Sequence, residues 1–559
     1  MIGRSLSATA GNGSRADRPT ELRPIVAHAC APVCLCAATA NASKCGQKHP
    51  DDIVIVSALR TMMGRARKGG LKDTPVEEML AGVLKATLER TKVPAAAIGD
   101  IVVGTVLGGG SQRANECRIA SFLAGIPETV PIHTVNRQCS SGLQALAHVA
   151  ANINAGYYGQ FQPLNYARIF ACSEQHADLS SLLLFFSLFA CLSDIGIAAG
   201  VESMSLSAFA WEGTMNPKVF INKQAKDCLL PMGITSENVA ARYGVSRKDQ
   251  DEFAVSSHRK AAAAIKAGKF KAEIVPLNVT LKDPKTGATK DFVADTDDGV
   301  REDTTFESLS KLNPVFQKGG STTAGNASQV TDGAAAVLAC KRSTAEKMGL
   351  PIQGVFRTFA VTGVAPDVMG IGPAAAIPPA LKAAGLSVSD IDVWEINEAF
   401  ASQAVYCVRK LGIPVEKVNP NGGAIALGHP LGCTGARQVA TLLNELKRRG
   451  AKYGVTSMCI GSVRNTQTAS SAHHRRSGPA RGDSAVPMLT VALLSHSRSL
   501  CAGHGSGRRV RGGELNGVQR QTTRAPCRSR RVKELYFFRR QGRSCARFDS
   551  RWIRFCCCV

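Results

Sequence analysis

Aromatic side chains are scarce. They make up 5% of the 559 positions, with three tryptophans. The core must therefore be filled by aliphatic and small residues. The abundance of glycine (53 residues) with alanine suits helices packed closely on sheets, as in an α/β enzyme. Long apolar runs are also missing. The longest, Leu182–Leu192, falls short of the roughly 18 residues of a membrane span, so no transmembrane segment is expected. Acidic residues are few, 43 against 68 Lys and Arg, for a net charge of +25. That excess does not point to nucleic acid, because residues 460–559 alone carry 20 Lys and Arg against 4 Asp and Glu. No zinc-finger spacing or other nucleic-acid motif accompanies the charge. A secreted disulfide framework is absent as well. Of 19 cysteines, seven lie in 51–158 and 194–459: Cys117, Cys139, Cys228, Cys340, Cys407, Cys433 and Cys459. A reducing compartment with structural or catalytic thiols is expected.

What is present is a series of α/β units. Residues 1–50 are rich in Ala, Ser, Cys and Arg and read as a targeting or disordered leader. Order begins at the buried-strand run Asp52–Val56. An amphipathic helix over 76–90 and a strand at Ile101–Gly104 follow. A helix starting near Cys139 ends near Gly156, and the strand Asp194–Gly200 should follow it directly. Instead residues 159–193 intervene, far more than the two to six or so residues of an ordinary helix-to-strand loop. They read as inserted sequence, such as an unspliced segment. Ser246 and Asp249 have capping-box spacing for a helix running to Gly268. Strands are expected at Asp332–Cys340, Ile391–Ile396 and Tyr453–Gly461. A Gly-rich turn, Gly422–Gly432, opens a helix with apolar Val439, Leu442, Leu443 and Leu446. The two halves share strand, Gly-rich turn, reactive residue and helix, which points to an internal duplication.

Cys139 stands where a strand turns into a helix whose apolar face is Leu143, Leu146, Ala147 and Ala150. Unpaired N–H groups and the positive helix end gather there and favour a thiolate. Taken alone, it reads more readily as a small buried side chain. Asn397, His429 and Cys459, each at a strand end or turn, change that balance. Acyl transfer through a thioester needs a thiolate, a base, a second acid/base and N–H donors for the oxyanion, and this set supplies such parts. No convincing metal-ligand cluster is present. His28, His148 and His258 read as surface or incidental.

The segments Asn136–Gly142, Gly200–Ser205, Asn397–Phe400 and Gly428–Gly432 together resemble the signatures of the thiolase family, most nearly the peroxisomal-type 3-ketoacyl-CoA thiolases. The resemblance covers nearly all of 51–158 and 194–461. It implies an α/β fold of two duplicated halves in a layered αβαβα arrangement, with a loop domain. The chain then divides into the leader 1–50, an N-terminal half at 51–204 (with 159–193 inserted), a loop domain over CoA at 205–300, the end of the N-terminal half at 301–345, a C-terminal half at 346–463, and an Arg/Cys-rich tail at 464–559.

It also implies roles. Cys139 takes the acyl group, and His429 activates it and helps hold the thioester oxygen. Asn397 fixes an oxyanion-hole water. Cys459 is the second acid/base, and the N–H groups of Cys139 and Gly461 form a second oxyanion hole. Met232, Ser328 and Phe400 would contact the CoA pantetheine, with packing or a turn as their alternative readings. The activity implied is thiolytic cleavage of 3-ketoacyl-CoA in β-oxidation. The reverse condensation to acetoacetyl-CoA is the other reading, and an impaired isoform a third. CoA is then a substrate and no cofactor is needed. The expected partners are CoA, acyl-CoA and a second copy of the chain in a homodimer. The expected compartment is the peroxisome, with the mitochondrion as the alternative. His28-Ala29 fits the end of an N-terminal peroxisomal signal, although Glu21 occupies a position where Arg is wanted. One departure stands out. After Gly461 the family pattern gives way to Ser462-Val463-Arg464-Asn465, so a last buried strand resembling Ala334–Leu338 is expected to be missing.

Overall fold

A computed structural model describes residues 47–160, 194–207, 215–461 and 490–496. All of these belong to a compact unit within Met1–Ser499; Leu500–Val559 forms a second unit outside the described residues. The strands, in chain order, are β1 Ile53–Arg60, β2 Gly64–Arg65, β3 Asp100–Gly104, β4 Ile132–Val135, β5 Ile195–Glu202, β6 Leu277–Lys282, β7 Thr289–Ala294, β8 Thr331–Lys341, β9 Gly354–Val361, β10 Val393–Ile396, β11 Tyr453–Met458 and β12 Thr490–His496. The principal helices are α1 Val76–Thr91, α2 Ala114–Leu123, α3 Ser141–Ala155, α4 Met232–Tyr243, α5 Arg247–Lys266, α6 Gly372–Ala384, α7 Ala401–Leu411 and α8 Thr434–Arg449.

The sheet order is β10-β11-β12-β9-β1-β8-β5-β3-β4. It contains the duplication. In the first half β1 and β5 each run antiparallel to β8, and β5, β3 and β4 are mutually parallel. In the second, β9 and β11 each run antiparallel to β12, and β11 is parallel to β10. A parallel bridge from Trp394 to Val418 completes the pattern. β1 and β5 are buried along their whole length, which is why they read as unbroken apolar and small-residue runs. α1 packs on β1 and β8 at one face, while α3 and α8 pack on each other and on strands of both halves. α6 covers β9, β11 and β12 from the far side. The layers are thus αβαβα, and the loop domain contributes α4, α5 and the β6–β7 hairpin.

The missing-strand expectation is corrected here. β12 occupies the place in the second half that β8 holds in the first, with Ala492 opposite Thr456 on one side and Phe359 on the other. The sequence Thr490-Val491-Ala492-Leu493-Leu494 has the small and β-branched or aliphatic character that a central strand needs. It does not stand out in the sequence because 28 residues separate it from Gly461 and its surroundings are Arg-rich.

The insertion reading falls partly outside the described residues, since 161–193 are among the others. Its flanks are informative. A Cβ on Gly196, near the start of β5, would lie 2.9 Å from the Tyr158 ring, so the end of the α3 segment already packs on the strand that should follow it. His258 is also corrected: it is buried on α5, and its Nδ1 accepts the Arg301 N–H at 3.2 Å. The Ser246–Asp249 capping box is present.

Arg60, fully buried at the end of β1, ties the loop domain to the first half. Its guanidinium donates to Glu273 at 2.7 Å and to both oxygens of Asp297 at 2.7 and 2.9 Å. Neutralising the cation alone leaves two carboxylates buried without it. Arg60→Met is therefore expected to cost about 3–5 kcal/mol, read from urea denaturation midpoints, far more than loss of an exposed ion pair.

Candidate active site

The site forms at the carboxyl ends of the parallel strands in both halves. β4 leads into Gln138, a non-glycine residue in the left-handed region (φ +49°), and then into Cys139 ahead of α3, whose N-cap is Ser140. That kink aims the Cys139 sulfur toward the second half. The Gly432 carbonyl lies against the backbone of α3 at Gly142, where a Cβ would come within 2.7 Å of it, and it meets Gly200 of β5 still more closely. Glycine at these contacts lets the histidine turn and the cysteine turn touch backbone to backbone. Glu202 clamps the same junction. Its buried carboxylate accepts N–H groups from Gly432 and Val106 at 3.0 Å and from Leu107 at 3.1 Å. Burial pushes its pKa up to about 7 in spite of those three bonds.

Cys139 is 6% exposed. Its sulfur accepts N–H groups from Gly461 and from its own backbone, and both lower its pKa. Burial outweighs them and pushes the thiol up to about 11. The helix end thus favours a thiolate less than burial opposes one: two N–H groups do not repay the desolvation of a sulfur anion, and Cys139 rests as a thiol. It needs a base.

His429 is that candidate. Burial, helped by the Arg437 charge, lowers its pKa to about 3, so the imidazole is neutral throughout the neutral range. The Thr434 hydroxyl donates to the Pro430 carbonyl at 3.0 Å and lies 2.7 Å from His429 Nδ1. With its hydrogen committed there, Thr434 accepts from Nδ1–H, and the lone pair falls on Nε2. Nε2 faces the Asn397 amide nitrogen at 3.4 Å. Thr434→Val removes the group that selects this tautomer. Cys139 acylation in single-turnover experiments is then expected to slow about tenfold, the equivalent of one hydrogen bond, with Thr434→Ser restoring it.

Cys459 follows β11 and is fully buried among Met369, Ala399, Phe400, Met232 and Ala327. Burial, with the neighbouring Cys139 and Cys407, holds its thiol well above the ordinary range. Its sulfur lies 3.9 Å from Gln403 Oε1 on α7. Gly461 sits under Met232 and Met369; a Cβ there would come within 2.5 Å of the Met232 sulfur, so a side chain would push the Gly461 N–H off Cys139. Phe400 meets Phe316 edge to face at 6.4 Å, and the half-buried Ser328 donates its N–H to the Ala399 carbonyl at 3.0 Å. Glu398 secures the loop bearing Asn397 by accepting from Ser257 Oγ, Asn419 Nδ2 and the Ile425 N–H.

The fold thus gathers all eight residues singled out from sequence around these two turns. Sequence reasoning missed Thr434, Gln403 and the clamping function of Glu202. Thr434 is a hydroxyl in the first turn of the helix after His429, a weak signal. Gln403 carried none. Among the described residues, no group of three or more His, Cys, Asp or Glu side chains is placed to hold a metal, and no helix is long and apolar enough to cross a membrane.

Comparison with known proteins agrees with this arrangement. The family model described as thiolase, N-terminal domain, matches residues 53–159 and 187–343, and that of thiolase, C-terminal domain, matches 350–470. The chain belongs to the thiolase family. Among its curated relatives, peroxisomal 3-ketoacyl-CoA thiolase 2 of Arabidopsis thaliana is 58% identical over 74% of this chain and 82% of its own length. Peroxisomal 3-ketoacyl-CoA thiolase B of Rattus norvegicus is 56% identical over 74% of this chain and 90% of its own. The crystal structure of the dimeric peroxisomal thiolase of Saccharomyces cerevisiae superposes with a TM-score of 0.65 at 41% identity, over 81% of this chain and 99% of that one. The matched segments leave out 160–186, inside the predicted insertion, and stop at 470, before β12.

Proposed function

We propose that this chain is a peroxisomal 3-ketoacyl-CoA thiolase, an acyltransferase that cleaves 3-ketoacyl-CoA with CoA to acetyl-CoA and a shortened acyl-CoA. The observation that carries the mechanism is the pairing of two buried thiols with one neutral imidazole of defined tautomer. His429 Nε2 takes the Cys139 proton as the sulfur attacks the 3-keto carbon. The imidazolium then becomes an N–H donor for a substrate oxygen beside Asn397. The N–H groups of Gly461 and Cys139, which meet at the sulfur, receive the oxygen of the acyl thioester. As the carbon–carbon bond breaks, Cys459 gives its proton to the acetyl-CoA carbanion. The resulting thiolate deprotonates the incoming CoA, whose sulfur takes the acyl group from Cys139, and the departing Cys139 thiolate recovers its proton from the His429 imidazolium. Two cysteines suit this work because both proton transfers involve carbon or sulfur acids.

Met232, Phe400 and Ser328 line the approach for the pantetheine arm, and CoA enters as substrate rather than cofactor. Homodimer formation is proposed from the dimeric yeast relative. A graded series of 3-ketoacyl-CoA substrates, with products identified by mass, tests the reading. Release of acetyl-CoA and an acyl-CoA two carbons shorter is expected. Turnover confined to acetoacetyl-CoA would favour a condensing enzyme instead.

A further inference from the structure

Gln403 is fully buried on the first turn of α7, and its carboxamide points into the Cys459 pocket. Its orientation is defined, because the Ala399 N–H donates to Oε1 at 3.2 Å. The same Oε1 lies 3.9 Å from the Cys459 sulfur, within range of a thiol donor. Its stem is wedged against Gly370, where a Cβ would lie 3.0 Å from the Gln403 Cβ, so the side chain has little room to swing away. The Gln403 amide also reaches Cys407 on the same helix, a side-chain hydrogen bond that lowers that thiol's pKa against the larger effect of burial.

We propose that Gln403 is a positioning residue for Cys459. It accepts the Sγ–H, directs that hydrogen, and keeps the sulfur in the thiol form until the carbanion takes the proton. The amide itself gains and loses no proton. The Ala399 N–H holds the carboxamide in place, while the loop at Asn397 is secured separately through Glu398 and its three donors. The chemistry on Cys139 does not pass through it. The inference rests on the role assigned to Cys459 above.

The experiment separates the two thiols. p-Nitrophenyl acetate acylates Cys139 and expels a phenolate that needs no proton, so its burst reads Cys139 and His429 alone. Acetoacetyl-CoA thiolysis needs Cys459 as well. Gln403→Leu is expected to leave the burst rate within twofold of the unsubstituted protein and to lower thiolysis kcat at least tenfold. Gln403→Glu keeps the shape and the acceptor for Ala399 but places a carboxylate beside Cys459. It should retain the burst and move the alkaline limb of the kcat–pH profile to higher pH, since a neighbouring negative charge disfavours the thiolate and Cys459 must carry its proton into the reaction. Loss of burst and thiolysis together, thiolysis unchanged in Gln403→Leu, or an unmoved alkaline limb in Gln403→Glu would each overturn the proposal. If Gln403→Leu does not fold, the Gln403→Glu profile decides. The parent reading fails separately, through a missing burst in the unsubstituted protein or full thiolysis by Cys459→Ala.

Discussion

Cys139→Ala is expected to abolish acyl-enzyme formation and to lower thiolysis by at least about a thousandfold, leaving only what substrate positioning and the oxyanion donors supply. The size of the effect follows from the lack of a substitute among the described residues. Cys117, Cys340, Cys407 and Cys433 are buried, and desolvation pushes each thiol up to about 12. Cys459 is held well above the ordinary thiol range and, in the proposed mechanism, serves the second proton transfer. Mass spectrometry after quenching with 3-ketoacyl-CoA reads the adduct directly. An adduct on another residue in Cys139→Ala would sink the assignment, because the second oxyanion hole is built around this sulfur alone.

Ala492→Pro is expected to cost roughly 3 kcal/mol or more and to remove activity with it. Ala492 is an interior residue of a strand paired on both sides, to Thr456 of β11 and Phe359 of β9. Proline there removes a ladder donor and sets a ring against a neighbouring strand. The consequence reaches the site because Cys459 and Gly461 follow directly on β11, whose partner is β12. Denaturant midpoints and thiolysis should fall together. A midpoint unchanged by the substitution would mean that Thr490–His496 is not the last strand. The same logic gives β12 its significance: its residues lie past the end of the matched family segment, yet they take up the pairing that β8 makes in the first half.

Much of the molecule was legible from local pattern. β1, β5 and β8 announce themselves because strands buried on both faces must be apolar or small throughout. α5 and α8 do so through a capping box and through Val439, Leu442, Leu443 and Leu446, all buried. The four motifs around Cys139, Glu202, Asn397 and His429 were readable because each is a short run in which chemistry and turn geometry coincide. Cys459 was readable as a cysteine closing a strand.

Other features were not legible, for reasons of distance and solvation. β12 was hidden because strand pairing is non-local: seven residues of ordinary composition become a central strand only when β9 and β11 present unpaired edges to them. Gln403 belongs to the site only because α7 brings its amide against a sulfur 56 residues away. Thr434 selects the His429 tautomer through where its own hydrogen goes, which is a matter of three-dimensional hydrogen-bond geometry.

By itself the sequence determined the α/β class, the duplicated halves and the order of the strands it could show, since these depend on residue type and local period; the roles proposed for Cys139, His429 and Cys459 are what the family resemblance implied. Only the tertiary structure decided the protonation states. The helix end at Cys139 argued for a thiolate, but burial in the junction between the halves costs an anion more than two N–H groups return. Cys139 is therefore a thiol awaiting His429, and His429 is neutral because the same burial denies it a proton.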